Sequence, residues 1–112
     1  CVAGFAPVTD LSVLREFKST SERRLVRQLN LIKRAKDLAG RKVWIVMGDR
    51  DERVGTDHAI QLAREISRES RKQKLPSQAT LHVLSEPRGH TIPDGADRLA
   101  ADWILQQIDP DQ

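Results

Sequence analysis

The sequence predicts an α/β fold built on a parallel sheet, a three-layer αβα arrangement in the order βαβαβα. Three observations predict it: an uninterrupted apolar run at residues 43–47, helical periodicity on both sides of that run, and Gly, Pro or capping residues at the boundaries between segments. A strand that is apolar without alternation has both faces covered, as when helices pack on each side of parallel strands. With 112 residues the chain is one domain at most, long enough to bury a modest core without disulfides.

Each element follows from its residues. Residues 2–6 are a short apolar run, read as a strand, ended by Pro7, which cannot donate to a ladder and disfavours helix at the residue before it. Asp10 is placed to cap a brief helix at about 11–17. Ser19 and Glu22 have the capping-box spacing. Leu25, Leu29 and Ile32, with Leu31, Ala35 and Leu38, then predict a helix over 21–39, the longest element, closed by Gly40. Residues 43–47 form the central strand. Thr56 or Asp57 is expected to cap a helix whose apolar stripe is Ala59, Leu62, Ala63 and Ile66, running to about Ser70.

A polar connector over 71–78 contains Pro76, and residues 79–84 give a third strand. Pro93 and Asp94 open a last helix in which Leu99, Ala100, Trp103, Ile104 and Ile108 are expected to face the sheet. Two right-handed crossovers running in the same direction along a sheet lie on one face. The helices at 21–39 and 57–70 therefore share a face, and the last helix covers the other.

Composition narrows the function. Apolar runs of at most five residues are far short of the ~18 that a membrane span needs, and mean hydropathy is −0.52. The single cysteine, Cys1, excludes an internal disulfide framework and a cysteine-based zinc site. Nineteen Lys and Arg against 16 Asp and Glu give a formal charge of +3, and the excess lies in residues 15–42. Such a patch is the electrostatic footprint of a phosphate-binding surface. Only Phe5, Phe17, Trp44 and Trp103 are aromatic, however, and the interleaving of bases and rings used by single-strand binders is missing. The patch reads as a solvated basic helix face, with no nucleic-acid partner expected. The chain does not begin with Met and its opening reads as a strand already under way, so it is expected to be the carboxyl-terminal piece of a longer protein.

Ligands of open parallel sheets sit beyond the carboxyl ends of the strands. Two loops leave that edge: Gly48-Asp49-Arg50-Asp51-Glu52-Arg53-Val54 after the central strand, and Glu86-Pro87-Arg88-Gly89-His90 after the third. Neighbouring strands lie about 4.8 Å apart, so Asp51 and His90 can meet although 39 positions separate them. An Asp accepting a bond from an imidazole fixes its tautomer and stabilises its protonated form, the task of the acid and base in a nucleophile, base and acid set.

The residues V-W-I-V-M-G-D-R-D-E-R-V at 43–54, followed by L-H-V-L-S-E-P-R-G-H at 81–90, resemble the carboxyl-terminal third of an α/β-hydrolase. In that family one strand is followed by G-x-x-D-x-x-V carrying the acid, and the next by a loop ending in G-H with the base, with the nucleophile upstream. The opening V-A-G-F-A-P-V-T-D-L is similar to the family's sixth strand and exit loop. The D-x-D-x-R-V arrangement is more similar to the prolyl-oligopeptidase-like and related esterase branches than to lipases. The resemblance implies that Asp51 orients His90, that His90 is general base and then acid, and that no metal or organic cofactor is needed. It implies for Arg53 a contact with a substrate carbonyl or carboxylate, set against an ion pair with Asp49 or Glu52. Asp49 is expected to structure its loop, and His58 and His82 to be structural.

One part of the pattern is missing. No G-x-S-x-G occurs, and Cys1 is no substitute because Ala3 stands where the second glycine belongs. The chain is thus expected to be the carboxyl-terminal part of a single α/β-hydrolase domain, inert by itself. Its partner would be the remainder of that domain, which carries the nucleophile, and its substrate a small-molecule ester or peptide. The alternative is a non-catalytic α/β binding or interaction module, and a more distant one is a flavodoxin-like nucleotide-binding domain. Compartment does not follow from these residues.

Overall fold

A computed structural model describes residues 1–17, 19 and 23–109, the side chain of Arg23 excepted. Three strands, β1 (Val2–Phe5), β2 (Val43–Gly48) and β3 (Ala79–Leu84), form one parallel sheet in the order β1-β2-β3. Val2 lies opposite Val43, and Val43 opposite Ala79. The unalternating apolar run is the central strand, and every one of its residues is buried.

Successive side chains of a strand point to opposite faces, which divides β2 between two cores. Val43, Ile45 and Met47 pack with Ala59, Leu62 and Ile66 of α2 (Thr56–Lys72), and with Ala35 from the preceding crossover. Trp44 and Val46 pack with Ala96 and Ala100 of α3 (Ala96–Ile108), flanked by Leu84 and Trp103. Burying a Val, Leu, Ile or Met side chain fully is worth about 1.5–3 kcal/mol, so both faces of this one strand anchor the fold. Both crossovers lie on one face and the last helix on the other, as the topology argument requires. Among the described residues no helix is long and apolar enough to cross a membrane.

The first crossover departs from expectation. In place of one helix over 21–39 there is a six-residue α1 (Arg23–Gln28), a run of turns and a 3-10 turn at Ala35–Leu38. Buried Asn30 breaks the helix: its side-chain oxygen accepts from the Lys33 N–H at 3.2 Å, a local bond that competes with helical ones. The next amide, Leu31 N–H, donates to Thr9 O at 2.9 Å, tying the chain to the exit of β1. The longest element is therefore α2, with 17 residues. Among the described side chains, the basic residues of this segment are exposed but divided, Arg24 and Arg27 on α1 and Lys33, Arg34 and Lys36 on the turns that follow, so they form no single long helix face. The Ser19 and Glu22 capping box lies outside the described residues.

Residues 11–17 form two 3-10 turns, Leu11–Val13 and Arg15–Phe17; Asp10 caps the first by accepting from Ser12 N–H at 2.9 Å. The cap of α2 is Gly55, with φ +82, because the Thr56 hydroxyl is spent on Gly48 O at 2.5 Å. The last helix starts at Ala96, after Gly95 in the left-handed region, since Asp94 turns its carboxylate to Arg88 instead of capping. A three-stranded sheet is too narrow for the whole apolar stripe of α3. Ala96, Ala100 and Trp103 meet it, whereas Ile108 is 73% exposed.

Candidate active site

The carboxyl edge of the sheet is assembled from two loops that approach unusually closely. The ladder runs one residue past β2, with Asp49 N–H donating to Leu84 O at 2.8 Å. At Gly48 a Cβ would stand 2.8 Å from Glu86 Cβ and 3.4 Å from Gly89 O, so only glycine lets the second loop lie here. Asp49 Oδ1 accepts the Glu86 N–H at 2.8 Å, bridging the loops. It is a loop-structuring carboxylate in this geometry.

Asp51 sits in the turn that follows and is 2% exposed. Its Oδ1 accepts the Val54 N–H at 3.1 Å, and its backbone oxygen accepts from Thr56 N–H at 3.1 Å. Val54, 1% exposed, plugs the turn into the main core. The D-x-x-V spacing thus has a mechanical meaning: the valine side chain anchors the turn and its amide occupies one carboxylate oxygen.

The other oxygen faces His90. Residues 86–89 form a tight turn closed by Gly89 N–H to Glu86 O at 3.2 Å, with Pro87 and Gly89 at the second and fourth positions that a type I turn favours. Gly89 takes φ +88. Thr91 N–H then donates to Gly89 O at 3.0 Å, closing a three-residue turn centred on His90. The result is 2.8 Å between His90 Nδ1 and Asp51 Oδ2. An ionised carboxylate only accepts, so the assigned tautomer has Nδ1 protonated and donating. Nε2 is left as the acceptor and has no hydrogen-bond partner among the described residues. The His90 side chain is 38% exposed and that of Asp51 0%: a buried acid behind a ring open to solvent. This arrangement can take a proton at Nε2 and stabilise the resulting imidazolium.

Glu86, which sequence reasoning singled out only as part of the loop, proves to be a buried carboxylate. Its Oε1 accepts Arg88 N–H at 3.0 Å and Nε–H at 2.7 Å, and its Oε2 accepts Arg88 Nη2 at 2.6 Å. Those bonds from Arg88 hold the Glu86 carboxyl below its usual value of 4.5, and Glu86, then Asp94, raise the Arg88 guanidinium above its own. The signal available in the sequence was a Glu and an Arg flanking a proline immediately before G-H.

Arg53 does not pair with Asp49 or Glu52. Its Nη2 lies 3.1 Å from Glu16 Oε1, an exposed ion pair reaching a segment whose position relative to the acid loop depends on the β1 to β2 crossover. The two residues border a cleft of about 450 Å³ that also exposes Val13, Leu14 and Arg15. His82 stacks at a tilt on Trp44, with ring centroids 5.4 Å apart. His58 lies in the first turn of α2. Comparison with protein families, characterised proteins and solved structures finds no match to this chain.

Proposed function

We propose that this chain is the acid-and-base portion of an α/β-hydrolase domain that cleaves an ester or peptide bond through a serine acyl-enzyme. The observation that carries the reading is the 2.8 Å bond between buried Asp51 and the solvent-open ring of His90 at the carboxyl edge of a parallel sheet. In the proposed cycle His90 Nε2 takes the proton of the nucleophile as its oxygen attacks the substrate carbonyl. Asp51 stabilises the imidazolium, and the proton passes to the leaving alkoxide or amine. A water, deprotonated by the same nitrogen, then attacks the acyl carbon; the bond to the nucleophile oxygen breaks, that oxygen takes the proton back from His90, and the acid product leaves. Arg53, beside the cleft of Val13 and Leu14, is proposed to contact the substrate.

The remainder of the domain is proposed to supply the nucleophile. Val2 and Phe5 on β1 are 48% and 37% exposed, and among the described residues β1 pairs only with β2. Both features support further sheet on that edge. A fluorophosphonate probe applied to the whole protein tests the reading: it is expected to label one serine outside residues 1–112, and to fail with His90→Ala. Labelling inside this chain, or none in a folded and active protein, refutes it; a folded protein that neither labels nor hydrolyses favours a binding module.

A further inference from the structure

Glu86 is tied at every polar point it offers. Its amide goes to Asp49, its carbonyl receives Gly89, and its carboxylate accepts three bonds from Arg88. It is 2% exposed in a surface loop, and a buried charge is retained only when its bonds are satisfied. The turn itself needs none of this, because Pro87 and Gly89 already suit it. What the clamp adds is a fixed distance between the two loops. Glu86 Cβ fills the space above Gly48, Asp49 holds the Glu86 backbone, and Arg88 extends the chain of bonds to Asp94 at 3.0 Å, ahead of α3. His90 leaves this clamp two residues after Arg88, and Asp51 leaves Asp49 two residues on.

We infer that Glu86, acting with Arg88, is a positioning residue for His90: an ionic clamp with a buried carboxylate and a half-exposed guanidinium that holds the imidazole against Asp51 independently of the Asp51–His90 bond. The inference rests on the reading of that pair as acid and base. A carboxylate–guanidinium fork is suited to the task because two parallel bonds fix orientation as well as distance. Lysine offers only a point charge.

The test uses the whole protein with Glu86→Gln and Arg88→Lys, the second at a half-exposed side chain that folding tolerates. The first readout is the nitrogen and N–H resonance of the His90 ring. In the wild type a single Nδ1–H tautomer with a slowly exchanging proton is expected. In both variants the tautomers should mix and the proton exchange faster, on the order of tenfold, as expected when hydrogen bonds to a charged group are lost. The second readout is turnover, expected to fall by about tenfold or more at unchanged KM, with Arg88→Lys the milder. A His90 ring signal unchanged within roughly twofold, in either variant that folds, overturns the clamp even if the melting temperature drops. A ring signal that changes in a protein that hydrolyses nothing upholds the clamp and refutes the hydrolase reading, so the two failures are distinct.

Discussion

Asp51→Asn separates chemistry from folding. The Asp51 side chain is fully buried, with Oδ1 on the Val54 amide and Oδ2 on His90 Nδ1. Asparagine keeps the shape and keeps an acceptor for Val54, so the turn and its valine anchor survive. The amide group that replaces Oδ2 is a donor, however, and must meet an Nδ1 that accepts, which forces the proton to Nε2 and removes the base. Stability should change by about one net hydrogen bond, ~1 kcal/mol, a shift of roughly 2–4 °C for a whole domain larger than this chain. Turnover should fall by about 10⁴, the cost of the same change in a serine-protease triad. The assay is kcat alongside a thermal melt, with Asp49→Asn as comparison. Asp49 accepts one backbone amide, and asparagine still supplies an oxygen, so a loss below about tenfold is expected there. If Asp49→Asn abolishes turnover while Asp51→Asn leaves it intact, the acid has been assigned to the wrong carboxylate. If neither variant nor His90→Ala alters hydrolysis, the pair has no catalytic role.

Two further outcomes follow from the same loops. Gly48→Ala would place a Cβ 2.8 Å from Glu86 Cβ, and because neither backbone is free to yield, overpacking should cost about 1–3 kcal/mol, read as a lower melting temperature; an unchanged melt would show that the loops do not pack as described. The second concerns acid stability: Arg88 holds the Glu86 carboxyl below its usual 4.5, so the clamp contributes stability above that pH and loses it as pH falls through the folded-state value. Melts of wild type and Glu86→Gln should accordingly differ at neutral pH and converge as pH falls below the usual 4.5 and through the folded-state value; a constant gap would mean that Glu86 ionisation is not linked to folding.

The sheet was legible because its signal is strong. The run at 43–47 has one physical explanation, burial on both faces, and the strand bounds at 79–84 coincide with those observed. The apolar stripe of α2 was equally clear. Helix ends were not, because Thr56 and Asp94 have capping chemistry that tertiary partners, Gly48 O and Arg88, take for other uses. The crossover at 21–39 misled for a related reason. Its leucine spacing is helical, but Asn30 and the bond from Leu31 to Thr9 outweigh periodicity, and Leu25 and Leu29, which the stripe would bury, remain exposed. The meeting of Asp51 and His90 followed from topology alone. The partner of Arg53 did not, since Glu16 lies 37 residues away on a segment whose path the sequence does not reveal.

The loop geometry itself weighs the functional reading of this edge against the bland one. If Asp51 merely structured its turn, any side chain accepting the Val54 amide would serve, and one oxygen would suffice. Gly48 would then be needed for close approach and Val54 for anchorage, but nothing would be required at position 90. The structure holds more than that minimum. Asp51 presents its second buried oxygen to an imidazole, and the loop carrying that imidazole is shaped by a glycine at positive φ, a proline turn and an ionic clamp. A surface histidine serving only solubility would leave Nδ1 to water and the loop free. Ordering side chains costs entropy that must be offset, and here the ordered atoms converge on one ring nitrogen while its other nitrogen is left open. That asymmetry is what proton transfer requires and what a structural pair would not need, and it is why Asp51→Asn, which preserves every structural bond but one, is the substitution that divides the two readings.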